Sequence, residues 1–240
     1  MRKLLLPVVV ALLMCGISAA VAALDFGVAN NLYEKGDFKG ARAGYEALVQ
    51  SGGRSAHLFY NLGNAAYREG DKGAAMLAYE RALALEPGHP DAKANLRFLQ
   101  GETGAKLPVL PWFGRALSWP AGNEAAWIAA GAFWGLCFSL VPLWWKGRIA
   151  AIPAVFCCLA LAWSGAILGW QYSRGEQWIV TAEAAKARTT PVDSAPVAAA
   201  LPMGSQVQLL LDRGPWLYVQ MPDDARGWIN RDALNPVRLK

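Results

Sequence analysis

Residues 61–71 read Asn-Leu-Gly-Asn-Ala-Ala-Tyr-Arg-Glu-Gly-Asp. This run decides the fold because its second half has a counterpart 34 positions earlier. Tyr33-Glu34-Lys35-Gly36-Asp37 matches Tyr67-Arg68-Glu69-Gly70-Asp71, and the same step relates Ala41 to Ala75, Tyr45 to Tyr79 and Gly53 to Pro87. A fixed period of this length marks stacked helical hairpins, each burying its apolar face against its neighbours. Gly63 and Ala75 are small enough to let two helices approach closely. Tyr79 and Leu83 lie one turn apart and face inward together. Pro87 ends the second helix, because its ring cannot continue the hydrogen-bond ladder. Pro90 and Asp91 start another helix, in which Leu96 and Leu99 cover the last exposed face. The array spans 25–100 as two repeats and a capping helix.

The pattern resembles the tetratricopeptide repeat. Phe59, Leu62, Gly63, Ala75, Tyr79, Ala82 and Pro87 fall on that family's signature positions. Ala66 stands where Tyr is usual, with Tyr67 beside it, and Ala29 stands in the first copy where Gly63 stands in the second. The resemblance implies that the first helix of each repeat lines a concave face. Asn30 and Asn64 are equivalent there, and Asn61 and Asn95 are equivalent at a second position. Asn offers both a donor and an acceptor, which suits the backbone of an extended peptide. The set is similar to the asparagines of carboxylate-clamp repeats, but Phe26, Asp91 and Asn95 stand where the clamp's basic residues would be. A free carboxylate is therefore not expected to bind strongly. The alternative for these asparagines is service at helix ends and local turns.

Three apolar blocks set the organisation of the rest. Residues 1–23 begin Met1-Arg2-Lys3, continue apolar from Leu4, and end Ala20-Val21-Ala22-Ala23. That is the form of a secretory signal peptide, cleaved near Ala22 or Ala23, with an uncleaved anchor as the alternative. Met14 is too bulky before Cys15 for a lipoprotein signal. Blocks 125–145 and 149–170 are uncharged, and each is close to the roughly 20 residues that cross a bilayer as a helix. Trp127, Trp144, Trp145, Trp170 and Tyr172 sit near the block ends, where amphipathic rings favour the interface. The link Lys146-Gly147-Arg148 is so short that it forces a transmembrane hairpin, and its charges place it in the cytoplasm. Residues 24–123 and 171–240 then share the outer side. With no ionisable residue in either block, the hairpin reads as a plain anchor rather than a transport pathway. The linker 101–123 is broken by Gly101, Gly104, Pro108, Pro111, Gly114, Pro120 and Gly122. Its Trp112, Phe113, Leu117 and Trp119 lie on the membrane interface or pack on the repeats.

The periodicity changes over 177–240. Gln206–Leu209 and Leu217–Met221 have strand character, and Asp212–Pro215 and Pro222–Asp224 separate them as turns. Ala184–Arg188 reads as the first of six short strands, followed by a loop over Thr189–Ala195. The sequence resembles a bacterial SH3 domain in Ala187-Arg188, Pro191, Leu201, Gly204, Val207, Trp216, Val219, Gly227-Trp228 and Leu234. The resemblance implies a small all-β barrel that binds peptides or cell-wall material. Trp216, Tyr218 and Trp228 are the candidate groove aromatics, against the alternative that both tryptophans fill the core.

Charge and cysteine usage exclude several functions. The net charge is +5, but the basic residues are scattered, so no nucleic-acid partner is expected. Cys15, Cys137, Cys157 and Cys158 all fall in apolar blocks, which leaves no disulfide framework and no cysteine metal site. His57 and His89 are the only histidines. No phosphate-binding glycine loop or paired-histidine metal motif accompanies them, and Ser194 and Ser205 have no suitable histidine base. No enzyme activity, cofactor or metal is expected.

In order along the chain, a signal peptide, tetratricopeptide repeats, a membrane hairpin and an SH3-like domain resemble the BatE-type proteins of bacterial aerotolerance operons. The resemblance implies a scaffold in the bacterial inner membrane, with both folded parts periplasmic. It also implies protein partners among von Willebrand A-domain membrane proteins. A cell-wall sensor or tether acting through the C-terminal domain is the alternative.

Overall fold

The computed structural model describes residues 26–108, 114, 124–143, 151–173 and 176–239. The expected signal peptide 1–23, the connecting Lys146-Gly147-Arg148 and nearly all of 109–123 lie outside the described residues. The described residues fall into two compact units, one built on the helical array and one on a helix pair and a C-terminal sheet.

In the first unit, helical residues 26–34 (α1) lead to α2 (Phe38–Gln50), α3 (Ala56–Arg68), α4 (Lys72–Leu85) and α5 (Pro90–Thr103). The repeated Gly-Asp pair makes the same turn twice. Gly36 and Gly70 take φ of 83° and 89°, a region that costs a residue with a Cβ about 1–2 kcal/mol. The following Asp37 and Asp71 accept from the Gly40 and Ala74 N–H groups, each at 2.9 Å, so each aspartate caps the next helix. Pro87 bears on the end of α4 through the residue before it. Glu86 is the C-cap at φ −132°, ψ 86°, outside the helical region that a following proline disfavours. The close approach expected at Gly63 is present, since a Cβ there would lie 2.6 Å from Tyr79 Cε1. Leu96 and Leu99 of α5 are buried, as a terminal helix requires. Arg42 bridges the repeats by pairing with Glu46 on its own helix and with Glu69 and Asp71 beyond it. The array extends past the expected limit of 100, to a left-handed cap at Gly104.

In the second unit, α6 (Glu124–Leu143) and α7 (Ala151–Ser173) pack on each other. The contact is close at Gly135, where a Cβ would lie 2.9 Å from Cys157 Sγ. These helices occupy the two uncharged blocks, and the second runs past Trp170 to Ser173. Among the described residues no helix is long and apolar enough to cross a membrane. Side chains on the two helices are described only over 127–135, 137 and 155–170. The expectation that 125–145 and 149–170 cross a bilayer therefore rests on their uncharged sequence.

The C-terminal domain is a seven-stranded sheet in the order β3-β2-β6-β5-β4-β1-β7. The strands are β1 (Gln177–Val180), β2 (Ala184–Arg188), β3 (Val197–Pro202), β4 (Gln206–Arg213), β5 (Trp216–Gln220), β6 (Arg226–Asn230) and β7 (Leu234–Pro236). The count of six and the placing of Ala184–Arg188 first are corrected: Gln177–Val180 precedes it and pairs antiparallel with β4. The turn is also shorter than expected. β4 continues through Asp212 and Arg213, which pair with Leu217 and Trp216, leaving only Gly214-Pro215 as a two-residue loop. Gly214 takes φ of 66° at its first central position, the site where such loops favour Gly. Alternation along β5 and β6 buries Leu217, Val219 and Ile229. Ala187 is fully buried and fits because its neighbour is small: a Cβ on Gly227 would lie 3.0 Å from the Ala187 Cβ.

Candidate functional site

Four asparagines and two tyrosines build the site on the array. Tyr45 Oη donates to Asn30 Oδ1 at 2.6 Å, and Asn61 Nδ2 donates to the same oxygen at 3.2 Å. One repeat later, Tyr79 Oη donates to Asn64 Oδ1 at 2.8 Å, and Asn95 Nδ2 donates to that oxygen at 3.2 Å. Each equivalent residue is displaced by the same 34 positions, so this is one polar rung formed twice. It ties the first helix of a repeat to its own second helix through Tyr, and to the first helix of the next unit through Asn.

The phenols are suited to that role. Burial raises the Tyr45 and Tyr79 pKa values above the ordinary tyrosine range, so both hydroxyls remain donors. The rings are 1% exposed while the asparagines are half-buried at the surface of the groove. The structure brings Asn30 together with Asn61 and Asn64 together with Asn95, a pairing that their equivalence in the repeat did not specify. The alternative role at helix ends does not hold. Asp37, Ser55, Asp71 and His89 cap the helices instead.

Two cavities lie along this face. One of about 240 Å³ is lined by Asn30, Tyr33, Glu34, Tyr45, Asn61 and Asn64. The other, of about 260 Å³, shares Tyr33 and Asn64 and adds Tyr67, Tyr79, Asn95, Phe98 and Leu99. Each has room for a large side chain and falls short of the roughly 300–1,000 Å³ of drug-sized pockets. Tyr33, Tyr67 and Phe98 were not singled out from the sequence as lining residues. The available signal was Phe98 standing 34 positions after Asn64, where an apolar ring replaces the amide.

At the other candidate site the three aromatics do share a face. Trp216, Tyr218 and Trp228 alternate with the buried core residues and are half-exposed. Tyr218 is opposite Trp228 across β5 and β6, with ring centroids 5.0 Å apart. The Arg213 guanidinium lies over the Trp228 ring at 5.5 Å. The reading of both tryptophans as core is corrected, since alternation turns them outward. Trp178 on β1, 6% exposed, is the buried tryptophan among the described residues of this domain.

The two histidines take structural positions. His89 Nδ1 accepts from the Ala92 N–H at the start of α5, and its ring packs 5.6 Å from that of His57. Among the described residues, no group of three or more His, Cys, Asp or Glu side chains could hold a metal ion.

Residues 56–89 match the family model of the tetratricopeptide repeat. That span covers α3, α4 and the turn into α5, including Asn61, Asn64 and Tyr79. No curated protein matches the chain.

Proposed function

We propose that this protein is a non-enzymatic, membrane-anchored scaffold that presents two protein-binding modules. The repeat match supports the interaction role of residues 56–89. The observation that carries the reading is the pair of Asn–Tyr–Asn rungs, which hold polar groups along two cavities that share Tyr33 and Asn64. The anchor is supported by the uncharged blocks 125–145 and 149–170 and by apolar side chains that α6 and α7 leave uncovered. Trp127 is 76% exposed, Phe156 69% and Leu159 61%. Aromatic and aliphatic surface on this scale suits hydrocarbon better than water. The amino-terminal signal form and the basic link favour the inner membrane with both folded units periplasmic.

On the resemblance to BatE-type proteins, the partners are von Willebrand A-domain membrane proteins of an aerotolerance-type envelope complex. Pull-down of the full chain from solubilised membranes after gentle cross-linking tests this reading. Co-recovery of such a protein supports it, and recovery of the bait alone counts against it.

The outward Tyr218–Trp228 pair favours a second reading for the SH3-like domain, in which it holds cell-wall peptide. Sedimentation of the full chain in detergent with purified sacculi tests it. Loss of co-sedimentation in Trp228→Ala would assign binding to that face, and no co-sedimentation of the wild type removes the reading.

A further inference from the structure

The rungs fix which way each amide points, and that determines what the groove offers a ligand. Asn30 and Asn64 spend Oδ1 on two donors each, so each presents Nδ2 hydrogens. Asn61 and Asn95 donate Nδ2 into the rung, Asn95 to Tyr79 Oη at 3.4 Å as well as to Asn64 Oδ1, and both keep Oδ1. Among the described residues, Nδ2 of Asn30 and Asn64 and Oδ1 of Asn61 and Asn95 carry no further hydrogen bond. Each rung therefore sets one donor beside one acceptor, the complement of a peptide unit's C=O and N–H.

The charge in the groove is one-sided. The lining of the two cavities contains one carboxylate, Glu34, and no cation. The cavity beyond it is walled by aromatic rings, with Tyr67 39% and Phe98 57% exposed. Rings left this open lose their contact with water when a bulky apolar group enters.

We infer that this groove takes an internal, extended segment of a partner protein that carries a bulky apolar side chain near a Lys or Arg and no free carboxylate. The segment's backbone pairs with the amides, its apolar side chain fills the Tyr67–Phe98 cavity, and its cation lies by Glu34. The inference rests on reading the array as a peptide-binding module and specifies what that module selects.

The test is to pan the full chain in detergent against a library of nine-residue peptides, acetylated and amidated at their ends. A parallel set with free carboxylates is screened alongside, and circular dichroism confirms the fold of every variant. Enrichment of a large apolar residue within three positions of Lys or Arg is expected, with Asp and Glu depleted. For an enriched peptide, Phe98→Ala should weaken binding by about thirtyfold, as truncation of an aromatic anchor does. Glu34→Lys should weaken it by about two- to fivefold, the range of an exposed ion pair, and shift the preference toward acidic residues. Enrichment of acidic sequences, or a requirement for the free carboxylate, overturns the selectivity and leaves peptide binding standing. A folded wild-type chain that enriches nothing overturns both.

Discussion

Deleting the Tyr79 hydroxyl separates packing from hydrogen bonding, because Phe keeps the ring that meets Gly63. Tyr79→Phe leaves Asn64 Oδ1 with only the Asn95 donor, and the cost should be about 0.5–1.5 kcal/mol in denaturant melts. Asn64→Ala should cost more, about 1–3 kcal/mol, because it strands a buried phenol donor. The same groups give the array an alkaline limit. Burial holds both phenol pKa values above their unfolded value of about 10. Their stabilising contribution is complete below that value and is lost as pH rises toward the folded pKa. Melting temperature should therefore fall as pH rises above about 10, and fall less in a Tyr45→Phe, Tyr79→Phe double variant. A double variant with the same decline would mean that other groups set the limit. The sequence made the Asn spacing and the Tyr spacing visible, each at 34 residues. It did not reveal that the two sets bond to each other, because the 15-residue step from Asn30 to Tyr45 crosses a turn of undetermined geometry.

At the level of the element, local chemistry carried most of the reading. Gly-Asp was legible as a turn because one residue supplies the positive φ and the next supplies the cap. Asp71→Ala should cost about 1 kcal/mol from the cap of α4, measurable as a lower urea midpoint, and should also weaken the Arg42 contact between repeats. Gly63→Ala places a methyl against a ring whose hydroxyl is tied to Asn64 and should cost about 1–3 kcal/mol as overpacking. The strands were less legible. Gln177–Val180 is only four residues long, too short to reveal a period of two. The outward position of Trp216 and Trp228 follows from register, which hydrophobicity alone does not specify.

For the whole molecule, α6 and α7 leave large apolar side chains uncovered, among them Trp127 and Phe156. The full chain should stay with membranes through an alkaline carbonate wash and be released by detergent. Recovery of folded chain in the wash would remove the anchor. The order of helical array, helix pair and sheet was legible because the hydrophobic pattern changes abruptly between them.

The polar rung also makes the array extensible. The asparagine that closes each seam is supplied by the following unit, so a tandem duplication of 56–89 would satisfy every junction with residues already present. Such a chain should gain one complete seam and a proportionately longer recognition surface. The length of segment it grips would then be set by a whole number of modules, as beads set the length of a string.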